Sequence, residues 1–262
     1  MDCWDGKEED GSEPVIYHGH TLTSKILFKD VVTACKNYAF EKSEFPLIFS
    51  IENHCSVEQQ DKMAEHLENI LGDLLYKHPI DDHETELPSP LKLRKKILIK
   101  AKRLPSNSDE VDDADVDSEA EDDVDQVKTK NKAKKISKKL SELVNYIHAV
   151  HFDGFDNSEA KFFHMSSFGE SKTKGIISDP EKSIKFVQYN MRQISRIYPG
   201  AKRQDSSNMK IVEPWTAGCQ IGQNISIPYC TTGCLNKKSS LALLMSFLKR
   251  SFLETSSNIL TL

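Results

Sequence analysis

Residues 46–56 read Pro46-Leu47-Ile48-Phe49-Ser50-Ile51-Glu52-Asn53-His54-Cys55-Ser56. A short apolar run, Leu47 to Ile51, is closed by Pro46 before it and polar residues after it, the pattern of a strand buried on both faces in a parallel sheet. The run delivers a carboxylate, Glu52, at its carboxyl end. Ser56 and Gln59 then have the spacing of a capping box, which predicts a helix start. Strand, charged residue, helix is the repeating unit of an α/β barrel, whose chemistry sits at the carboxyl ends of the strands. On these residues alone the stretch is equally any βα unit with a solvated glutamate.

Outward from this unit the same rhythm continues on both sides. Val15 to Gly19 is a second short strand candidate ending beside His18. Phe28, Val31, Val32, Cys35 and Ala39 fall at helical spacing over 28–40. A helix is expected from Val57 to about Tyr76, burying Met63, Leu67, Ile70, Leu71 and Leu74. Leu87-Pro88-Ser89-Pro90 is a rigid connector. Ile97 to Lys102 is another buried-strand pattern, delivering two lysines, Lys100 and Lys102, at its end. The order β, α, β, α, β favours a parallel sheet or barrel.

The rhythm stops at Pro105. From Asp109 to Asp125 about every second residue is acidic and none is aromatic, and from Lys128 to Lys139 the sign reverses. Such a tract cannot bury enough apolar surface to offset its ordering entropy, so residues 105–139 read as a disordered linker. Order is expected again from Leu140, with a strand pair over 143–152 and a strand over 162–168. A helix opens at Asp179-Pro180 with Ile184, Val187, Met191 and Ile194 along one face. Strand residues then run to Tyr198. Asp205 to Asn208 is a turn cluster, and Pro214-Trp215 leads into a short segment ending near Gln220. Beyond it, 222–262 is rich in Ser, Thr and Asn, with one apolar patch whose Leu241, Leu244, Met245, Leu248 and Phe252 share a helical face.

The chain of 262 residues is long enough for one barrel-sized domain, and its net charge of -5 argues against a general nucleic-acid binder. Six cysteines show neither zinc-ligand spacing nor a compact framework, which with no signal peptide suits reduced thiols in a cytoplasmic chain. No apolar run is long enough to be a transmembrane segment.

The strand-end residues make one constellation: Asp2, His18, Glu52, Lys100 with Lys102, Ser167, and Arg196 with Tyr198. Two carboxylates suit a hard cation, a histidine moves protons near neutral pH, and lysines with an arginine suit a phosphorylated ligand. Each taken singly is more often structural. Together they suggest metal-assisted phosphodiester chemistry.

Longer words in the sequence carry a resemblance. Asp2-Cys3-Trp4-Asp5-Gly6, the run from Pro14 to Lys25, Ser50 to Ser56 and Leu87 to Pro90 resemble the X half of eukaryotic phosphoinositide-specific phospholipase C. Leu140 to Val144, Met165 to Phe168, Ser195 to Pro199 and Asp205 to Asn208 resemble its Y half, and the charged interruption resembles its acidic X–Y linker. The resemblance implies an α/β fold, a TIM-type (β/α) barrel, split by the disordered acidic linker and incomplete at both ends. Its parts would be an X half over 1–104, the linker over 105–139, a Y half over 140–221, and a divergent tail over 222–262 outside the barrel.

The implied activity is calcium-dependent hydrolysis of phosphatidylinositol 4,5-bisphosphate to diacylglycerol and inositol trisphosphate. By motif, Asp2 and Glu52 would be Ca2+ ligands, with Glu52 also a general base. His18 would protonate the leaving oxygen. Lys100, Lys102, Ser167 and Arg196 would hold the ring phosphates, and Tyr198 would pack on the inositol ring. The implied partners are the lipid at the membrane surface and inositol phosphates, in a cytoplasmic, peripherally membrane-associated protein. The acidic linker is expected to cover the basic rim. The glutamate of the family's Glu-x-Asp motif falls two positions ahead of Asp2, and its first strand, last strands and C2 domain have no counterpart in these words. A truncated or spliced form with an incomplete calcium site and little activity alone is therefore expected. A second expectation, from Ile97 to Lys102 and Asp205 to Met209, is a catalytically inactive phospholipase C-like scaffold that binds inositol phosphates. The retained His18 favours the enzyme. A glycerophosphodiesterase on the same barrel explains neither the linker nor the two lysines.

Overall fold

The computed structural model describes residues 1–19, 23–105, 112–113, 134–200 and 209–222. The turn at 205–208, most of the linker, and the tail with Cys230, Cys234 and the 241–252 face lie outside them. The described residues fall into two compact units: Met1–Glu84 with the chain from Pro90 and the return up to Ala149, and the chain from Val150 onward with Thr85–Ser89.

In the first unit, β1 (Asp2–Trp4), β2 (Val15–Ile16), β3 (Ile26–Leu27), β4 (Leu47–Ser50), β5 (Glu52–Asn53), β6 (Ile97–Ala101) and β9 (Ile147–Ala149) alternate with α1 (Phe28–Tyr38), α2 (Val57–His66) and α3 (Lys138–Glu142). β4, β6 and β9 are parallel neighbours in that order, with Phe49 opposite Ile99 and Ser50 opposite Lys100. All five residues of β6 are buried, as a run with two covered faces requires. At Ile51 the chain passes from this sheet to another: β5 pairs parallel with β1, and β1, β2 and β3 are joined by antiparallel pairs. The strand read at 15–19 is therefore an antiparallel two-residue strand, and His18 lies in the turn that follows it.

Strand alternation sorts the side chains. Cys3, Phe49, Ile51, Ile97, Ile99 and Ala101 pack with Phe28, Val32, Met63 and Leu67 in one core against the helices. Asp2, Ser50, Glu52 and Lys100, one residue out of phase, take the opposite face. The α1 helix matches its expected span and buries Phe28 and Val32 one turn apart. The long helix read over 57–76 is shorter than expected. After His66 it passes through a π turn, Leu67–Leu71, and a 3-10 turn, Gly72–Leu74. Gly72 breaks the α register, with φ 53° and ψ -123°.

Within the linker, β7 (Asp112–Asp113) and β8 (Lys134–Lys135) pair antiparallel, acidic half against basic half. Regular structure resumes before Leu140, because Ser137 caps α3 by accepting a hydrogen bond from the Leu140 amide at 3.2 Å.

In the second unit, β10 (His164–Gly169), β11 (Ile194–Tyr198) and β12 (Ile221–Gly222) are parallel neighbours in that order. They are accompanied by α4 (Glu170–Ser178), α5 (Pro180–Asn190) and α6 (Val212–Thr216). Phe168, Ile197 and Cys219 face a core containing Phe186 and Tyr189. Two expectations are corrected. Residues 143–152 hold the single strand β9 in place of a pair, since Leu143 still terminates α3. The buried face of α5 is Phe186, Tyr189 and Asn190, whereas Ile184 is 62% and Met191 38% exposed. The aromatic rings of Phe152, Phe155 and Phe168 collect Phe186 and Tyr189, which turns the isoleucine outward.

Candidate active site

The first unit gathers Asp2, Glu52 and the turn carrying His18. Asp2 and Glu52 are register partners on the parallel pair β1–β5, so two carboxylates stand on neighbouring strands about 4.8 Å apart. Met1 anchors this pairing through both backbone groups: its nitrogen donates to Ser50 O at 2.6 Å, and its carbonyl accepts from the Glu52 amide at 2.9 Å.

The Asp2 carboxylate accepts two hydrogen bonds and is approached by an imidazole. Trp4 Nε1–H donates to Oδ1 at 2.9 Å, and His54 Nε2 approaches the same oxygen at 3.1 Å. The Gly19 amide donates to Oδ2 at 3.1 Å. The indole of Trp4 and the imidazole of His54 stack with centroids 4.1 Å apart and planes 16° from parallel. Gly19 must be glycine here, because a Cβ would lie 2.2 Å from the Trp4 ring. His18 is exposed, and its amide donates to Thr23 Oγ1 at 3.2 Å.

Two further contacts fix the turn after β1. Asp5 Oδ1 accepts from the amide and the hydroxyl of Ser56, at 2.8 and 3.0 Å. Gln59 bonds both the amide and the carbonyl of Gly6, at 2.9 Å each. The capping box expected at Ser56 and Gln59 is thus replaced: Ser56 is the N-cap of α2 but its side chain makes no cap hydrogen bond. Both side chains are spent on residues roughly fifty positions earlier.

Lys100 lies on β6 beside Ser50 and is 3% exposed. Lys102 follows the strand end and is half-buried. Ser167, Arg196 and Tyr198 belong to the second unit, where Ser167 and Arg196 are register partners on β10 and β11. The Arg196 guanidinium lies 5.9 Å from the Tyr198 ring centroid, a cation–π contact. Alternation again separates these three from Phe168 and Ile197, which face the helices. Beneath Arg196 a buried polar lattice fixes the strand. The Ser195 amide donates to Gln220 Oε1 at 2.8 Å, its hydroxyl to Asn190 Oδ1 at 2.7 Å, and Gln220 Nε2 to Asn190 O at 2.8 Å.

Among the described residues no group of three or more His, Cys, Asp or Glu side chains is placed to hold a metal ion. Asp2 and Glu52 fit a hard cation by chemistry and register, as part of the six to eight oxygen ligands that calcium takes. Cys3, Cys35, Cys55 and Cys219 are free thiols. Burial pushes the thiols of Cys3 and Cys219 up to about 12, so neither is a nucleophile in the folded chain. No described helix is long and apolar enough to cross a membrane.

Trp4, Gly19 and His54 were not singled out from the sequence. The signal for His54 was period two: it stands two residues after Glu52, on the side of the strand opposite Ile51 and the core.

Residues 1–103 match the family described as phosphatidylinositol-specific phospholipase C, X domain, and residues 140–226 match its Y domain. The chain is 44% identical to 1-phosphatidylinositol 4,5-bisphosphate phosphodiesterase delta-1 of Rattus norvegicus, over 84% of this chain and 31% of that protein. It is 43% identical to the delta-3-A protein of Danio rerio, over 84% of this chain and 29% of that one. The crystal structure of S. officinalis PLC21 superposes with a TM-score of 0.67 at 40% identity, covering 84% of this chain and 28% of that one. The chain therefore spans about a third of the length of the curated relatives it matches.

Proposed function

The chain belongs to the phosphatidylinositol-specific phospholipase C family, and on that premise we propose that it supplies X and Y portions of a catalytic barrel that hydrolyses phosphatidylinositol 4,5-bisphosphate. The products are diacylglycerol and inositol 1,4,5-trisphosphate. The observation that carries the reading is the register pairing of Asp2 with Glu52, with the His18–Gly19 turn bonded to the same Asp2 carboxylate.

In this reading Lys100, Lys102, Ser167 and Arg196 bind the ring phosphates, the arginine through two parallel N–H donors. Tyr198, braced by Arg196, packs against the inositol ring. Glu52 accepts the proton of the inositol 2-hydroxyl as that oxygen attacks phosphorus, and His18 gives a proton to the departing diacylglycerol oxygen. The cyclic phosphodiester so formed is opened by water with the two roles reversed. A calcium ion held in part by Asp2 and Glu52 would lower the pKa of the attacking hydroxyl and offset charge on the phosphoryl oxygens. The exposure of His18 suits a proton donor that must meet a lipid headgroup presented at a surface. The protein works in the cytoplasm and at the membrane face, with inositol phosphates as further ligands.

The test is release of inositol trisphosphate from vesicles containing the lipid, with and without calcium. His18→Ala should lower kcat about 100-fold or more, the scale of a lost general acid. Inositol trisphosphate binding should persist in that variant. A folded full-length protein carrying this chain that binds inositol trisphosphate yet turns nothing over would overturn the catalytic assignment and leave a scaffold.

A further inference from the structure

The donors on Asp2 do more than satisfy it. A carboxylate oxygen has two in-plane lone pairs. Oδ1 accepts from Trp4 Nε1–H and lies 3.1 Å from His54 Nε2, close enough for the imidazole to bear on the same oxygen. Among the described residues, Oδ2 accepts only from the Gly19 amide. The stacked indole and imidazole hold both Oδ1 neighbours in one orientation. Gly19 lies against the Trp4 ring, so the same aromatic pair bears on the turn that carries His18. The His54 amide also donates to Cys3 O at 2.8 Å, which locks the imidazole's own backbone to β1.

We propose that His54 and Trp4 are positioning residues that present Asp2 to a divalent cation through Oδ2 alone, and that the Asp2–Gly19 hydrogen bond couples this ligand to the placement of His18. The inference rests on the phospholipase C reading and deepens it, since it assigns the metal-facing oxygen and names the residues that aim it. Partners of this kind behind a metal ligand change affinity by about 10- to 100-fold when removed. They do so without touching the ion.

The experiment is calorimetric titration of the folded protein with calcium alone, alongside lipid hydrolysis at varied calcium. His54→Leu removes the imidazole while filling most of the space, His54→Gln supplies an N–H donor, and Trp4→Phe keeps the ring but loses its N–H. His54→Leu and Trp4→Phe should each weaken calcium binding about tenfold. His54→Gln should recover most of that loss. At saturating calcium kcat should return towards wild type with KM for the lipid unchanged, which a merely destabilised site would not do. Gly19→Ala should weaken calcium binding and lower kcat even at saturating calcium, because it pushes the His18 turn off Asp2. Calcium affinity within twofold of wild type in a His54→Leu protein of unchanged melting temperature would overturn the proposal alone. Full-length wild-type protein carrying this chain that binds no calcium and hydrolyses nothing would overturn it together with the phospholipase C reading.

Discussion

Gln60 shows what one side chain holds together. It is wholly buried on α2, its Nε2 donates to Cys55 O at 2.8 Å and Lys135 O at 2.9 Å, and its Oε1 accepts from the Ser137 amide at 2.7 Å. Gln60→Leu would remove all three of these hydrogen bonds, at about 1–3 kcal/mol for each buried one. The expected loss in urea unfolding is about 3 kcal/mol or more, and a loss below about 1 kcal/mol would mean that water replaces the amide at little cost. A pH-sensitive residue lies in the other unit. Burial first, and the nearby Lys161 ammonium second, hold the His164 pKa below its ordinary value. Its Nδ1 accepts the Lys161 amide at 3.2 Å, which the neutral ring can do and the charged ring cannot. The unfolded chain then takes up a proton near pH 6.5, before the folded one does. Stability should fall as pH drops through that value and level off below the folded pKa. His164→Gln should flatten this part of the stability profile as pH falls through about 6.5, which thermal melts at a series of pH values would read. An unchanged slope would place the titration elsewhere.

At the scale of elements, helix starts were legible and helix faces less so. Asp179 caps α5 as Asp-Pro predicts, accepting from the amides of Glu181 and Lys182 at 3.1 and 3.2 Å. The face was misread because Ile184, Val187 and Met191 also keep helical spacing, and only the ring cluster of the folded chain decides between the stripes. Phe186→Ala should therefore cost about 3–5 kcal/mol, while Ile184→Ala should stay within about 0.5 kcal/mol. Equal losses in denaturant unfolding would restore the isoleucine face. The α4 helix went unread for a related reason: over Glu170–Ser178 only Thr173 and Ile176 are buried, and Gly175 interrupts the pattern. The Ser56 and Gln59 side chains follow the same logic, since a local motif was outcompeted by a turn fifty residues away. Strands were read more surely. A fully buried parallel run declares itself by composition, as β6 does, but its lysines were read only as lying at its end, and the fold is what places Lys100 off the helix-facing core. What the sequence could not supply was the change of sheet at Ile51, because partner choice depends on residues distant in the chain.

The largest consequence belongs to the molecule as a whole. The X match ends at residue 103 and the Y match begins at 140, yet the first compact unit does not end with the X match. Leu140, Leu143 and Val144 lie in the same core as Phe49, Met63 and Ile99. The Leu104 amide donates to Ser141 Oγ at 2.8 Å, Arg103 bonds Val144 O, and Tyr146 joins Tyr76 at 3.0 Å and Glu84 at 2.8 Å. β9 adds the parallel neighbour that β6 would otherwise lack on that side. Chain from beyond the linker thus completes a core begun before it. Burying three aliphatic side chains contributes about 1.5–3 kcal/mol each, so the returning segment supplies roughly 5 kcal/mol or more before its hydrogen bonds are counted. That is comparable with the whole stability of a small domain, about 5–15 kcal/mol. Residues 1–105 expressed alone should therefore lack a cooperative melting transition and bind hydrophobic dyes, whereas residues 1–149 should melt cooperatively. Adding a separate 134–149 peptide to the shorter chain should restore part of that transition, rising with the logarithm of peptide concentration above its Kd, because an intramolecular partner has become a ligand. A cooperative transition in 1–105 without the peptide would show that the X match folds as a unit by itself, and that the returning segment only decorates a core already complete.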